Sequence, residues 1–334
     1  MPSRSKPRSL SIAVAAVLSG SAAWPALAAE GGGGAAALEE VVVTATKRAE
    51  RLQDVPIAIS ALSAETLVST GVEDFRDYAT LVPGLGQRDS GVPGAGTIIL
   101  RGMNTSAQQT TNTAGYYLDE APFTANGFLA VSALLTPSPD LGDVERIEVL
   151  KGPQGTLYGA NSLGGLIRVI SRAPDSKAFS GSVRTELSSV SGGDIGWSAR
   201  GAVNIPIASD FAAVRVSGGY RRAAGFMDNL GTRSEDVNEF DVYGGRVALR
   251  VTPSEQLTLD LVAFAQRIES ICGTAQDNVV RTLRPVTRDY EYTNFDDLES
   301  EIEYRLYSGT VDYDFGPVSW LTTVSKSEIE STLR

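Results

Sequence analysis

Residues 39–48, EEVVVTATKR, hold the chemistry that is easiest to read in this chain, and that chemistry is hydrogen bonding through the backbone. Val41, Val42, Val43 and Thr44 are β-branched residues in a row, which favours an extended segment able to add itself to the edge of another protein's sheet. In such pairing the main chain supplies the affinity and alternate side chains choose the partner. Glu40, Val41, Val42, Val43, Thr44 and Ala45 are therefore the candidate partner-binding residues. The simpler alternative makes this run the first strand of the domain that follows. Its position behind an export signal and a glycine-rich stretch favours a presented peptide.

Other groupings invite a chemical reading and fail it. Gly152, Gly155, Gly159, Gly164 and Gly165 suggest a phosphate-binding loop, but no Gly-Lys-Ser/Thr follows, and an exported chain meets no ATP. These glycines suit tight turns instead. Asp119, Glu120, Glu145 and Glu148 do not form an acid–base pair of any recognisable kind. The chain lacks histidine and no nucleophile stands beside a base, so an enzyme is not expected. Cys272 is the single cysteine, which excludes an internal disulfide, and no metal or cofactor is expected.

The elements that must position the 39–48 segment begin with an export signal. Arg4, Lys6 and Arg8 precede an apolar run, residues 10–18, too short to span a bilayer, and Ala26-Leu27-Ala28 supplies a small-residue cleavage site. Residues 1–28 are thus expected to be removed, taking three positive charges with them and moving the net charge from -11 to -11 - 3 = -14. So acidic a chain is a poor partner for nucleic acid. Residues 29–49 form a flexible tether whose glycines and alanines have nothing to bury.

Residues 50–175 mix helical and strand patterns: strands over 55–61, 97–100, 115–118, 147–150 and 166–170, a helix capped by Ser63, and a second helix over 72–82. That is one small α+β domain. Residues 176–334 lose helical periodicity. Alternating runs appear at 181–190, 196–205, 211–222, 240–251, 256–267, 302–315 and 318–327. In the second, Trp197, Ala199, Gly201, Val203 and Ile205 share a face suited to lipid, while Ser198, Arg200, Ala202 and Asn204 share one suited to water. Tight links after the second, fourth and sixth runs contrast with long polar links after the third and fifth. That asymmetry describes an antiparallel transmembrane β-barrel better than a soluble sandwich.

Taken together, these residues resemble TonB-dependent outer-membrane receptors. Residues 39–48 look like the TonB box, TIILRGM at 97–103 like the isoleucine-arginine-glycine segment of the plug, GYYLDEAPF at 115–123 like the strand after it, and residues 143–167 like the signature that closes the plug. The resemblance implies an α+β plug seated in a barrel of about 22 strands, of which about seven are present, so the barrel is expected to be incomplete here. The sequence also ends at Arg334 without the aromatic residue such barrels use as an assembly signal.

By the same resemblance, Arg101 engages barrel carboxylates as a plug-to-barrel latch together with Lys151 and Glu148. Lysine stands at 151 where arginine is more usual, and an ammonium cannot form the planar two-bond pair. Gln87, Arg88, Asn104 and Gln108, in apical segments, are the candidate substrate contacts. Tyr116, Tyr117 and Phe123 read better as buried strand residues. The implied function is TonB-driven import of a scarce nutrient, foremost a ferric siderophore, across the bacterial outer membrane. The implied partners are TonB with ExbB and ExbD, outer-membrane lipid, the barrel assembly machinery and an iron-chelate or similar small ligand. The alternatives are a passive porin or adhesin-like binding barrel, or a nonfunctional receptor fragment.

Overall fold

The structure is a computed structural model that describes residues 12–14, 42–104, 112–124, 137–272, 277–282 and 284–334. In chain order its elements begin with β1 (Ile12–Val14), β2 (Val42–Val43), β3 (Glu50–Arg51), β4 (Ala58–Ser63), α1 (Ala64–Ser69), α2 (Phe75–Leu81), β5 (Leu85–Asp89) and β6 (Gly96–Leu100). There follow β7 (Ala114–Leu118), β8 (Ala121–Pro122), β9 (Val144–Lys151), α3 (Gly155–Tyr158) and β10 (Gly165–Ser171). The remainder is strands: β11 (Ser180–Ser189), β12 (Ile195–Ala208), β13 (Ala212–Ala223), β14 (Asp228–Asn229), β15 (Phe240–Ser254), β16 (Leu257–Cys272), β17 (Glu291–Tyr292), β18 (Leu298–Asp314) and β19 (Ser319–Leu333). Of the expected export signal only Ile12–Val14 lies among the described residues, paired antiparallel along β11.

Local chemistry explains where the plug's elements start. Pro56 has no N–H for a ladder, and β4 begins two residues after it, later than the alternating pattern suggests. Ser63 caps α1 by accepting the N–H of Thr66. The second helix starts at Phe75 rather than at residue 72, because Asp74 accepts the N–H groups of Arg76 and Asp77 while the Asp77 carboxylate accepts that of Asp74. The plug sheet runs β4-β9-β10-β7-β8, with β10 and β7 parallel and the other neighbours antiparallel. Leu67, Phe75, Tyr78, Tyr116, Ile147, Val149 and Ile167 pack into its core.

The wall is one antiparallel sheet of eight strands including the short β1, which leaves seven long ones. Their lengths run from 10 residues in β11 to 17 in β18, and a tilted transmembrane strand needs about 9–11. No helix among the described residues is long and apolar enough to cross a membrane. Val183, Trp197, Val203, Ile205, Val216, Val247, Leu261 and Val324 are exposed on one face, as a lipid-facing band requires. The opposite face is not bathed in water as the alternation suggests. Ser198, Arg200, Ala202 and Asn204 are all buried, because the plug lies against them.

Wall and plug meet through both apolar and charged groups. Val242, Phe264, Ile268, Ile302, Tyr304 and Leu306 join the plug's own core, and Phe123 sets its ring edge-on to Phe264 at a centroid distance of 5.7 Å. Burying such a ring stabilises the seat by roughly 1.5–3 kcal/mol. Beside this patch, four wall arginines grip plug carboxylates. Arg215 makes a two-bond fork to Asp143 at 2.8 and 2.5 Å, Arg200 Nε donates to Asp140 at 2.8 Å, Arg221 lies 3.2 Å from Glu73, and Arg246 lies 3.4 Å from Asp119. All four arginines are buried, a costly arrangement for an unpaired charge, and pairing with buried or half-buried carboxylates offsets that cost.

The two long connections also interact. β14 pairs in parallel with β17, Met227, Val237 and Tyr292 form a small apolar cluster, and Asp297 accepts hydrogen bonds from Asn229, Thr232 and Ser234. Loops from opposite sides of β15 and β16 are thereby fastened into one unit.

Candidate functional site

The candidate partner-binding segment does not hang free over its C-terminal half. Glu40 and Val41 lie outside the described residues, but Val42 and Val43 pair antiparallel with Arg51 and Glu50, closing a hairpin whose turn is fastened by the Lys47 N–H donating to the Thr44 carbonyl at 3.0 Å. Lys47 adopts a left-handed backbone, φ 63°, to make this turn. Thr46 Oγ1 braces the hairpin by donating to Glu50 at 2.7 Å. Val43 and Ala45 are completely buried, so the expected flexible tether ends before them. The reason is chemical: residues 43–47 meet a polar socket in the plug that matches their backbone groups.

Three strands and a short helix build that socket. Glu148 stands on β9, Arg168 on β10, Glu120 at the turn between β7 and β8, and Tyr158 at the end of α3. Glu148, fully buried, accepts the Thr44 N–H at 2.9 Å, Arg146 Nε at 2.8 Å and Arg168 Nη1 at 2.8 Å. Thr44 Oγ1 in turn accepts from Arg146 at 3.1 Å and from Arg168 at 3.0 Å. Tyr158 donates its hydroxyl to the Ala45 carbonyl at 2.7 Å, and its own carbonyl accepts from Tyr117 at 2.5 Å. Lys47 pairs with Glu120 at 2.5 Å and lies over the Tyr158 ring, 4.4 Å from its centroid. Glu120 also accepts from Arg168 Nη2 at 2.6 Å.

The electrostatics balance. Lys47, Arg146 and Arg168 face Glu120, Glu145 and Glu148, three charges of each sign in contact. Burial drives the Lys47 ammonium below its ordinary pKa against the pull of Glu120. Burial would also depress Arg168, but Glu120, Tyr158 and Glu148 outweigh it and raise its pKa. Burial lifts the hydroxyls of Tyr158 and Tyr117 above their usual range, so both remain donors at physiological pH.

The socket lies at the short-turn end of the wall. Thr44, Glu120, Arg146 and Arg168 line a cavity of about 390 Å³ that they share with Arg250, Thr258 and Asp312, wall residues next to the tight β15–β16 and β18–β19 turns. Gln87, by contrast, shares a crevice with Phe240 and Ile268 near the fastened long loops. Arg88 and Asn104 are exposed, and Gln108 lies outside the described residues. Tyr116, Tyr117 and Phe123 are buried strand or strand-end residues.

The expected latch trio is not one cluster. Arg101 (φ 53°) and Lys151 are near neighbours, close enough that Arg101 adds to the desolvation that lowers the Lys151 pKa, and neither has a carboxylate partner among the described residues. Glu148 points into the socket instead, because β9 alternates its faces and carries residues 148 and 151 on opposite sides. Sequence reasoning passed over Arg168 and Tyr158. Arg168 had a signal, a single charge inside the apolar run 165–170, which demands a buried partner. Tyr158 had none. Among the described residues no three His, Cys, Asp or Glu side chains are placed to hold a metal ion.

Comparison with known proteins fits this arrangement. Residues 51–166 match the family described as TonB-dependent Receptor Plug Domain. The pesticin receptor of Yersinia pestis is 31% identical over 218 residues, which cover 64% of this chain and 30% of that protein. The iron-regulated outer membrane virulence protein of Vibrio cholerae is 32% identical over 152 residues, 42% of this chain and 21% of the relative. The crystal structure of the ferric yersiniabactin uptake receptor from Yersinia pestis superposes with a TM-score of 0.67 at 21% identity, covering 83% of this chain and 41% of that one. The chain thus spans about 30% of the length of the first curated relatives it matches.

Proposed function

We propose that this chain, whose residues 51–166 match the plug domain of TonB-dependent receptors and lie against an antiparallel wall of long strands, serves TonB-driven import of a ferric siderophore across the bacterial outer membrane. The observation that carries this reading is the placement of residues 42–45. They dock at the short-turn end of the wall, and Gln87 lies toward the long loops; in outer-membrane barrels the short turns face the periplasm. A segment at that end lies where TonB, energised with ExbB and ExbD, can pair with it and pull. The passive porin fits poorly, since the wall's inner face is filled by the plug. The naming of relatives for iron regulation and ferric yersiniabactin uptake supports an iron chelate as cargo.

Substrate approaches from the long-loop side, and Gln87, Arg88, Asn104 and Gln108 remain the proposed contacts. Arg101 and Lys151 present two adjacent cations that suit wall carboxylates, and outer-membrane lipid covers the apolar face of the strands. The test is the Val42→Pro variant, which removes a ladder donor without altering the substrate face. Cells carrying it should bind ferric siderophore normally and lose its energy-dependent uptake. Uptake equal to wild type would remove TonB coupling from the reading.

A further inference from the structure

We propose that the outward face of β16, β18 and β19 binds a phosphorylated, acylated lipid of the outer leaflet: a hollow beside Gly309 takes an acyl chain, and Lys326 and Arg305 at its rim take a phosphate. The inference rests on the wall spanning the membrane and is independent of the TonB-pairing segment. Counted from the short turns, the first outward charges are Asp241 on β15, Arg267 on β16, Arg305 on β18 and Lys326 on β19. Asp241 faces Glu269, Arg267 faces Glu303, Arg305 faces Glu328 and Lys326 faces Tyr307. The onset of charge therefore falls two residues in register at each successive strand. Barrel strands are tilted by roughly 35–45°, so such a staircase is a level line around the wall. Below it, every outward position on these strands down to the short turns is uncharged, over about ten residues or roughly 25 Å of height, the thickness of an apolar band. Lys326 and Arg305 thus stand where that band ends on the long-loop side, the side that faces outward in such barrels.

The hollow lies directly beneath them. Leu261, Gly309 and Val324 are opposite one another in register, and the glycine leaves a gap in that row. The gap belongs to a hollow of about 660 Å³ that Val247, Leu261, Tyr307 and Val324 line and that Lys326 borders. Lipid tails are as apolar as these side chains, so the hollow selects a chain by shape and contact rather than by expulsion of water. Discrimination comes from the rim. Arg305 faces Glu328, which sets it diagonal to Lys326, about 7–8 Å away, close enough for one phosphate to lie between the two long side chains. Lys326 pairs with Glu328 at 2.7 Å and Arg305 with Glu303 at 2.5 Å, and each cation keeps further N–H donors for a phosphate. Because both cations already have carboxylate partners, phosphate alone gains little there. The site answers to a molecule that brings phosphate and chain together.

The experiment titrates lipid A into the full-length protein in mild detergent and reads the bound fraction by native mass spectrometry. Arg305→Ala with Lys326→Ala removes the rim cations, and Gly309→Leu fills the gap. Each change should weaken the apparent Kd about tenfold, whereas Arg288→Ala, an exposed loop cation, should leave it unchanged. Millimolar inorganic phosphate should not displace the lipid. Wild-type retention of lipid A by both the double variant and Gly309→Leu overturns the site. Displacement by inorganic phosphate overturns the role of the hollow, and equal retention of phosphatidylglycerol overturns the assignment to an outer-leaflet lipid. The rim cations are exposed, so the double variant keeps the test decisive should Gly309→Leu disturb strand pairing. None of these readouts involves uptake, so failure here leaves the function proposed above standing.

Discussion

Arg168 stands on a strand whose neighbours Leu166, Ile167 and Val169 are fully buried, and it is itself buried. A guanidinium in that setting persists only because Glu148 and Glu120 neutralise it and Thr44 fills a further donor. Removing one partner leaves the other charge stranded. Glu148→Ala should therefore cost about 3–5 kcal/mol of plug stability, measured by urea unfolding of the purified protein, whereas replacing both partners together, Glu148→Leu with Arg168→Met, should cost far less. A double replacement no milder than the single one would show that the pair is not what is being lost. The isolated charge in an apolar run was legible in the sequence, and so was the burial of Tyr116 and Tyr117. The identity of the partners was not, because Glu120, Glu148 and Arg168 come together only when β7, β9 and β10 align in register.

At the scale of elements, chain pattern determines more where strands are long. The seven wall strands fall within a few residues of the alternating runs, since a two-residue period sustained over ten or more positions is incompatible with a helix and too regular for a loop. Two-residue strands leave no such trace, which is why the β2–β3 hairpin and the β14–β17 pair emerge only from the structure. Gly165 shows how tightly the plug's closing strand is fitted. Its φ is 133°, and a Cβ there would lie 2.1 Å from the Leu150 carbonyl oxygen and 2.5 Å from Leu100 Cδ2. Gly165→Ala should destabilise the β9–β10 pairing by more than about 1 kcal/mol, seen as faster protease cleavage within the plug, while Gly155→Ala, with open space around it, should not. Equal cleavage of the two variants would argue against the close approach.

The whole molecule is held by an asymmetric distribution of charge: arginines on the wall, carboxylates on the plug. Arg200, Arg215, Arg221 and Arg246 face Glu73, Asp74, Asp119, Asp140 and Asp143. For the forked pair, Arg215→Ala and Asp143→Ala should each loosen plug seating, and their combination should be less than additive by about 0.5–3 kcal/mol, read from plug protection against proteolysis. Strict additivity would mean that the two groups do not interact. The polar face of β12 was legible as a pattern, but its destination was not: alternation distinguishes two sides of a strand without saying whether water or another domain covers the second.

This division of sign bears on how such proteins can exchange parts. A plug that carried cations at these contact points would set like charges against the four wall arginines in a space with little water to screen them. Chimeras made by joining a foreign plug to this wall should assemble only when the donor supplies acids at the matching sites. A recombinant joined near Asp175 should therefore seat its plug only when the two halves keep these opposite signs, although the chain joins them through a single crossing.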